Sequence, residues 1–275
     1  MDSPVPAAAG PRLPRSGPVS ALPPGYTEWP APAALRHAIA CLWAQVSPGG
    51  DREGLVLPDA CCDLIWEQGR GAYVAGPDTG PVRTVMTGGT VIFGVRFRPS
   101  AGGPALGVPL SELRDQRVDL ADLRRHDAAR LPGMLDPDTA AARTLDVAAS
   151  LVADGEPDPA AAWAAALLAD PQARTEDVAV QIGLSLRQLR RRCHAAVGYG
   201  PKTLQRVLRF RRFVSQIDAS VQVPQPSRGG PGHRDLAALA ARAGYADQAH
   251  LTRECRGLAG LTPAALARQR AQGRG

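Results

Sequence analysis

The stretch GLSLRQLRRRCHAAVGYGPKTL, residues 183–204, decides the fold, because its spacing returns in GYADQAHLTRECRGLAGLTPAAL at 244–266. Ala179, Gly183, Leu189, Cys193, Gly198 and Pro201 of the first copy correspond to Ala240, Gly244, Leu251, Cys255, Gly260 and Pro263 of the second. Ala to Gly is four residues in both, Leu to Cys four, Cys to Gly five and Gly to Pro three; only Gly to Leu differs, six against seven. Spacing kept through two copies marks one supersecondary unit used twice. Each copy predicts a short helix that stops at a glycine suited to the left-handed C-cap conformation. A tight turn follows, and a second helix opens with Ser185 or Asp247 as N-cap. Leucine and cysteine four apart lay one apolar stripe of that second helix on the first, and the small Ala179 and Ala240 let the helices approach. The unit is a helix-turn-helix, present twice.

The opposite face of each second helix carries the chemistry. On Ser185–Ala196 the stripe leaves Arg187, Gln188, Arg190 and Arg191 facing away. Arginine pairs bidentately with guanine O6 and N7, and glutamine does the same for adenine. Gln248, Ala249, Thr252 and Arg253 take that face in the second copy. The candidate base contacts are therefore Arg187, Gln188, Arg190, Arg191, Gln248, Thr252 and Arg253. Between the copies, residues 202–217 (KTLQRVLRFRRFVSQI) predict a long amphipathic helix with Leu204, Val207, Leu208 and Phe213 inward and Arg206, Arg209 and Arg212 outward. Its length is roughly 24 Å, while helices entering successive major grooves lie about 34 Å apart. Arg192, Lys202, Arg206 and Arg209 are the candidate phosphate contacts. Residues 218–234, with three prolines and three glycines, predict a long loop.

Over about Ala160 to Arg268 the chain resembles the DNA-binding domain of the AraC/XylS family of transcriptional regulators. The resemblance is carried by the 244–266 segment, by the G-x-S-x-x-x-L run from Gly183 and by the G-x-x-P run from Gly198. It implies two helix-turn-helices joined by a long helix, reading one face of double-stranded DNA. The sequence departs from the family at Cys193 and Cys255, where phenylalanine is usual, and in the length of the 218–234 loop. The N-terminal part resembles the uncharacterised β-rich domain found ahead of actinobacterial AraC-type modules. LPDACCDLIW (57–66), Gly76-Pro77, GVRFRPSAGGPALGVPLSEL (94–113) and VDLADL (118–123) carry that resemblance. It implies a small barrel-like domain for an effector or for dimerisation.

Charge divides the chain in the same place. Residues 1–173 hold 14 basic and 20 acidic residues, a net of −6, and residues 174–275 hold 18 and 6, a net of +12. Only Lys202 among the 32 basic residues is lysine, so the arginine count itself reflects composition; the retreat of acids from one third of the chain does not. An acidic part joined to a basic part is expected when one domain binds nucleic acid. The expected fold class is α+β: a β-rich, small barrel-like N-terminal domain plus an all-α domain of two helix-turn-helix modules joined by a long helix. Residues 1–24 predict a disordered tail, 25–125 the β-rich domain, 126–159 a helical linker and 160–275 the DNA-binding domain. Within the last, the modules fall at about 174–201 and 235–263. Leu35 to Ala44 predicts a short helix; Leu55–Leu57, Asp63–Trp66, Ala72–Ala75, Arg83–Met86 and Val91–Phe97 predict strands. Ser111 is expected to cap a short helix, and the main linker is placed at 154–159.

Other motifs weigh less. An adjacent pair such as Cys61 and Cys62 splits between the two faces of a strand, which is poor metal geometry. Cys193 and His194 diverge by about 100° on a helix, which argues against a nucleophile pair. His250 divides between a DNA contact and a surface role, and Arg96 in the RFRP run is expected to be solvated or in an interdomain salt bridge. No GxSxG, HExxH, phosphate-loop or dinucleotide fingerprint occurs in context, so no enzyme activity, cofactor or metal is expected. A repair methyltransferase and a thiol- or metal-responsive regulator are the alternatives, resting on Cys41, Cys61 and Cys62. Without an apolar run of ~18 residues or a secretory segment, a cytoplasmic, nucleoid-associated protein with no membrane partner is expected. RNA polymerase, a small-molecule effector and a second copy of the chain are the further partners this reading admits.

Overall fold

The computed structural model describes residues 18–222 and 236–272. The β-rich part is built from β1 (Gly25–Pro30), β2 (Ile39–Val46), β3 (Arg52–Val56), β4 (Cys62–Glu67), β5 (Gly71–Ala75), β6 (Val82–Met86), β7 (Val91–Phe97) and β8 (Arg117–Asp119). Six of them form an antiparallel sheet in the order β1-β2-β7-β4-β5-β8, and β3 and β6 pair as a separate ribbon. Short helices α1 (Gly102–Leu106), α2 (Leu120–Leu123) and α3 (Arg125–Ala128) lead to the long α4 (Pro137–Asp154).

The expected strands form where β-branched and aromatic residues alternate between turns. The expected helix at Leu35–Ala44 is instead a short 3-10 turn, Ala33–Leu35, followed by β2. An apolar run this short does not separate strand from helix by periodicity. Pairing on both sides, with β1 and with β7, settles it as a central strand. Ser111 lies inside a 3-10 turn, Leu110–Glu112, whose N-cap is Pro109, so its capping role does not hold.

One face of the sheet buries Leu42, Leu64, Trp66, Phe93, Val95 and Phe97 together with Leu145, Val147 and Leu151 of α4. Much of the expected 126–159 linker is thus part of this core, and Gly155–Asp158 alone joins α4 to the next helix. Of the expected tail, residues 1–17 lie outside the described residues, while Val19 is buried and Ser20 holds Asp138 of α4 through its backbone N–H (3.1 Å) and hydroxyl (2.6 Å).

The sheet's other face carries Trp43, opposite Gly94 in the ladder. The indole lies over that glycine and donates to buried Asp63 at 2.7 Å. Arg96, on the same face, pairs with Asp63 at 3.0 Å and Asp59 at 3.2 Å. It is neither solvated nor an interdomain bridge, because two carboxylates meet it within its own domain.

The helical part comprises α5 (Pro159–Leu168), α6 (Thr175–Gln181), α7 (Leu186–Val197), α8 (Pro201–Gln222), α9 (Leu236–Ala243), α10 (Gln248–Ala259) and α11 (Pro263–Gln272). The linker helix is 22 residues, longer than expected, and takes in 218–222 of the expected loop. Residues 223–234 of that loop lie outside the described residues. Two helix-turn-helices, α6–α7 and α9–α10, share one core with α8. It includes Leu189, Cys193, Phe210, Phe213, Leu251 and Cys255.

We expect Gly94→Ala to lower stability by ~1–3 kcal/mol, because the new methyl collides with the Trp43 indole. Gly49→Ala, with open space around it, stays within ~0.5 kcal/mol. Thermal unfolding of both variants checks this.

Candidate nucleic-acid interface

The two modules repeat in hydrogen bonds as well as in letters. Gly183 (φ +70°) and Gly244 (φ +89°) take the left-handed conformation after the first helix of each. Leu184 N–H donates to Ala179 O at 2.9 Å and Tyr245 N–H to Ala240 O at 2.9 Å, while Gly183 and Gly244 donate to Val180 O and Ala241 O at 3.0 Å. Both ends are Schellman motifs, and the repeated alanine is the acceptor. The second helices open on the expected caps. Ser185 Oγ accepts from Gln188 N–H at 3.2 Å, and Asp247 Oδ1 accepts from His250 N–H at 2.6 Å. Each closes on a left-handed glycine, Gly198 (φ +93°) or Gly260 (φ +69°).

With Leu189 and Cys193 buried, α7 presents Arg187, Gln188, Arg190 and Arg191 to solvent. With Leu251 and Cys255 buried, α10 presents Gln248 and Arg253, with Thr252 half-buried. Two side chains are already engaged. Gln188 Oε1 accepts from Ser185 N–H at 2.8 Å and from the Ser185 hydroxyl at 2.9 Å. Bidentate adenine reading needs that oxygen, so Gln188 can read adenine only by giving up its half of the capping box. Thr252 Oγ1 donates to Gln248 O at 2.8 Å, which leaves its lone pairs as acceptors. The His250 ring packs edge-on against Tyr245, centroids 5.2 Å apart.

The phosphate candidates divide. Lys202, at the start of α8, is exposed. Arg190, His194, Lys202 and Thr203 line an open cleft between α6, α7 and α8 together with Glu176 and Leu186. The other three point elsewhere. Arg192 pairs with Asp158, the N-cap of α5, at 2.7 Å. Arg206 pairs with Glu254 of α10 at 2.6 Å. Arg209 lies over the Tyr245 ring at 5.7 Å and reaches Pro171 O at 3.4 Å. Arg212, expected outward, donates to the carbonyls of Ala169 and Ala243 at the ends of α5 and α9. A cation at a helix C-terminus satisfies orphan carbonyls and meets the negative end of the dipole. These four arginines hold the modules to the scaffold. Sequence patterning missed this because their partners lie 31 to 48 residues away along the chain.

All five cysteines are free and buried. Cys61 and Cys62 do not split between a buried and an open face. Cys61 precedes β4 with its thiol turned toward Asp59 O at 3.7 Å, and Cys62 sits beneath Gly102. Burial raises all five thiols: Cys41, Cys193 and Cys255 are pushed up to about 12, and Cys61 and Cys62 well above the ordinary range. Among the described residues no three His, Cys, Asp or Glu side chains converge as a metal site, and no helix is long and apolar enough to cross a membrane.

Residues 27–119 match a family described as a domain of unknown function, DUF6597. No curated protein matches the sequence. Among solved structures, the chain is similar to ToxT from Vibrio cholerae O395, with a TM-score of 0.43 and 9% identity over 82% of this chain and 96% of that one. It is also similar to unsaturated fatty acid-bound wild-type ToxT from Vibrio cholerae strain SCE256, with a TM-score of 0.40 and 9% identity over 82% and 94% of the two chains. For Vibrio cholerae O395 ToxT bound to (E)-4-(8-methylnaphthalen-1-yl)but-3-enoic acid the TM-score is 0.42, at 8% identity over 90% and 96%.

Thiolate, not thiol, is the reactive species. We therefore expect the native protein to show no fast-reacting thiol toward an aromatic disulfide at mildly alkaline pH, and all five to react once it is unfolded. Rapid labelling of Cys61 or Cys62 in the native protein would instead support a thiol-responsive regulator.

Proposed function

We propose that the chain is a sequence-specific DNA-binding transcriptional regulator of the AraC/XylS type, a binding protein and not an enzyme. The observation that carries this reading is the duplicated presentation. Two helices, each with a side-chain N-cap, a left-handed terminal glycine and a buried Leu–Cys stripe, hold polar faces in solvent, the first strongly basic, and one long helix holds both. A net of +12 in residues 174–275 supports a polyanionic partner. Arg187, Arg190 and Arg191 read guanines in one major-groove segment; Gln248, Thr252 and Arg253 read the adjacent one. Gln188 exchanges its cap for a base in the bound state. Of the phosphate candidates Lys202 keeps that role, because Arg192, Arg206 and Arg209 are committed within the fold. The β-rich part serves for an effector or for pairing two copies, and RNA polymerase is the partner that transcriptional regulation requires.

The test is selection of genomic fragments by the purified protein at two salt concentrations, followed by binding measurements on the enriched site. We expect a two-block motif. Arg187→Ala, Arg190→Ala and Arg191→Ala should each cost ~1–3 kcal/mol and relax the preference at one position. Lys202→Gln should weaken all sequences alike and lower the salt slope by about one. Salt-sensitive binding with no motif would reduce the arginine face to a non-specific basic surface.

Arg206→Met is expected to behave differently from Lys202→Gln. It lowers stability and affinity together, and leaves the number of released counterions unchanged, because its partner is Glu254 and not a phosphate. A salt titration of both variants separates the two roles.

A further inference from the structure

The loop Gly76–Pro81 (GPDTGP) crosses from the sheet at β5 to the ribbon at β6, abuts the capping glycine of α7 and lies beside that of α10. The Pro77 ring lies against Gly198, the C-cap of α7, so closely that a Cβ there would collide with it. The Leu110 carbonyl would lie 3.1 Å from the same Cβ. Four residues on, Pro81 would stand 3.7 Å from a Cβ at Gly260, the C-cap of α10, and Gly80 faces the Gly257 carbonyl of that helix. The loop is braced from behind by the turn at Asp115. Asp115 N–H donates to Pro77 O at 3.2 Å, and its carboxylate accepts from Thr79 N–H at 2.7 Å and from the Thr79 hydroxyl at 2.8 Å. Arg117 grips Asp78 through two hydrogen bonds of 2.8 and 2.7 Å. Asp115 itself is left-handed, φ +60°, a conformation that costs a non-glycine residue energy and persists where surrounding contacts over-determine it.

Apolar packing also crosses this seam. Leu57 and Ala60, from the chain leading into β4, pack into the helical core.

We propose that the Gly76–Pro81 loop is a positioning element that, together with α8, holds the C-terminal ends of the two recognition helices at one separation, and so sets which spacing of DNA blocks is read. The inference rests on the DNA-binding reading above. A loop that only stabilised the fold would alter affinity at every spacing equally; a positioning loop alters the preference among spacings.

The test uses the full chain and a DNA library in which the gap between the two enriched blocks varies. The wild type is expected to prefer one gap. Asp115→Ala is expected to lose about tenfold at that gap, the scale of a modest coupling between sites, and to bind neighbouring gaps almost as well. Asp115→Asn, which tolerates the left-handed turn and keeps an acceptor for Thr79 N–H, should restore most of the preference. Pro81→Ala, at an exposed position unlike the braced turn, should weaken selection in the second block only. An unchanged gap preference in both Asp115→Ala and Pro81→Ala overturns the proposal while leaving the DNA-binding reading intact. A wild type that enriches no two-block motif overturns that reading, and this proposal with it.

Discussion

A helix-turn-helix of a few tens of residues cannot bury enough apolar surface to be stable alone. Two of them here share α8, and the rest of the helical part follows from that constraint. Val207, Phe210, Phe213 and Ile217 give α8 a fully buried apolar stripe, and Tyr245 of the second module meets Phe213 edge-on, centroids 6.5 Å apart. The strut must also resist rotation of the modules about it. Arg206, Arg209 and Arg212 supply that resistance, by reaching Glu254, Pro171 and the carbonyl ends of α5 and α9. Apolar packing is non-directional. Charged hydrogen bonds are directional, and here they fix orientation more than they add stability, since half-exposed ion pairs contribute little.

What the sequence revealed and what it concealed divide along the same line. Caps and turns are local: Ser185, Asp247, Gly183 and Gly244 act on backbone groups a few residues away, so their spacing was enough to place both modules. The solvent-facing residues of α7 and α10 followed from helical periodicity around Leu189/Cys193 and Leu251/Cys255. The roles of Arg192, Arg206, Arg209 and Arg212 were not legible, because an outward helix position says nothing about which distant carbonyl or carboxylate stands beside it. β2 was misread for a related reason: the short apolar run from Leu35 suits a helix as well as a strand, and only the partners on either side decide. The loop at 76–81 gave no sign in letters of its two contacts, since Pro77 and Gly198 meet only in three dimensions.

Glycine has opposite uses in the two halves. In the helical part the glycines at 183, 198, 244 and 260 supply left-handed turns that end helices. In the sheet Gly94 supplies absence: without a side chain it lets the Trp43 indole lie flat on a central strand and reach Asp63, which Arg96 also holds. A buried carboxylate is costly unless it is paired and hydrogen-bonded. The tryptophan, the arginine and the space above Gly94 are therefore one arrangement, and each member needs the others.

The distribution of positive charge follows once the internal pairs are removed. Arg192, Arg206 and Arg270 are matched by Asp158, Glu254 and Asp218. What remains open on α7 and α10 is uneven: Arg187, Arg190 and Arg191, beside His194 and Lys202, on the first module, against Arg253 and Arg256 with Gln248 and Thr252 on the second. Counterion release scales with the number of phosphates neutralised. Of the two helices α7 and α10, the first therefore carries the larger share of the electrostatic affinity in the proposed complex. The second has fewer charges, two guanidiniums beside an amide and a hydroxyl, so more of its contribution depends on shape and hydrogen-bond matching. In the proposed complex such a division works only if the first module delivers the second to a fixed place on the duplex, which requires a rigid α8 and a fixed placement of the far ends of α7 and α10.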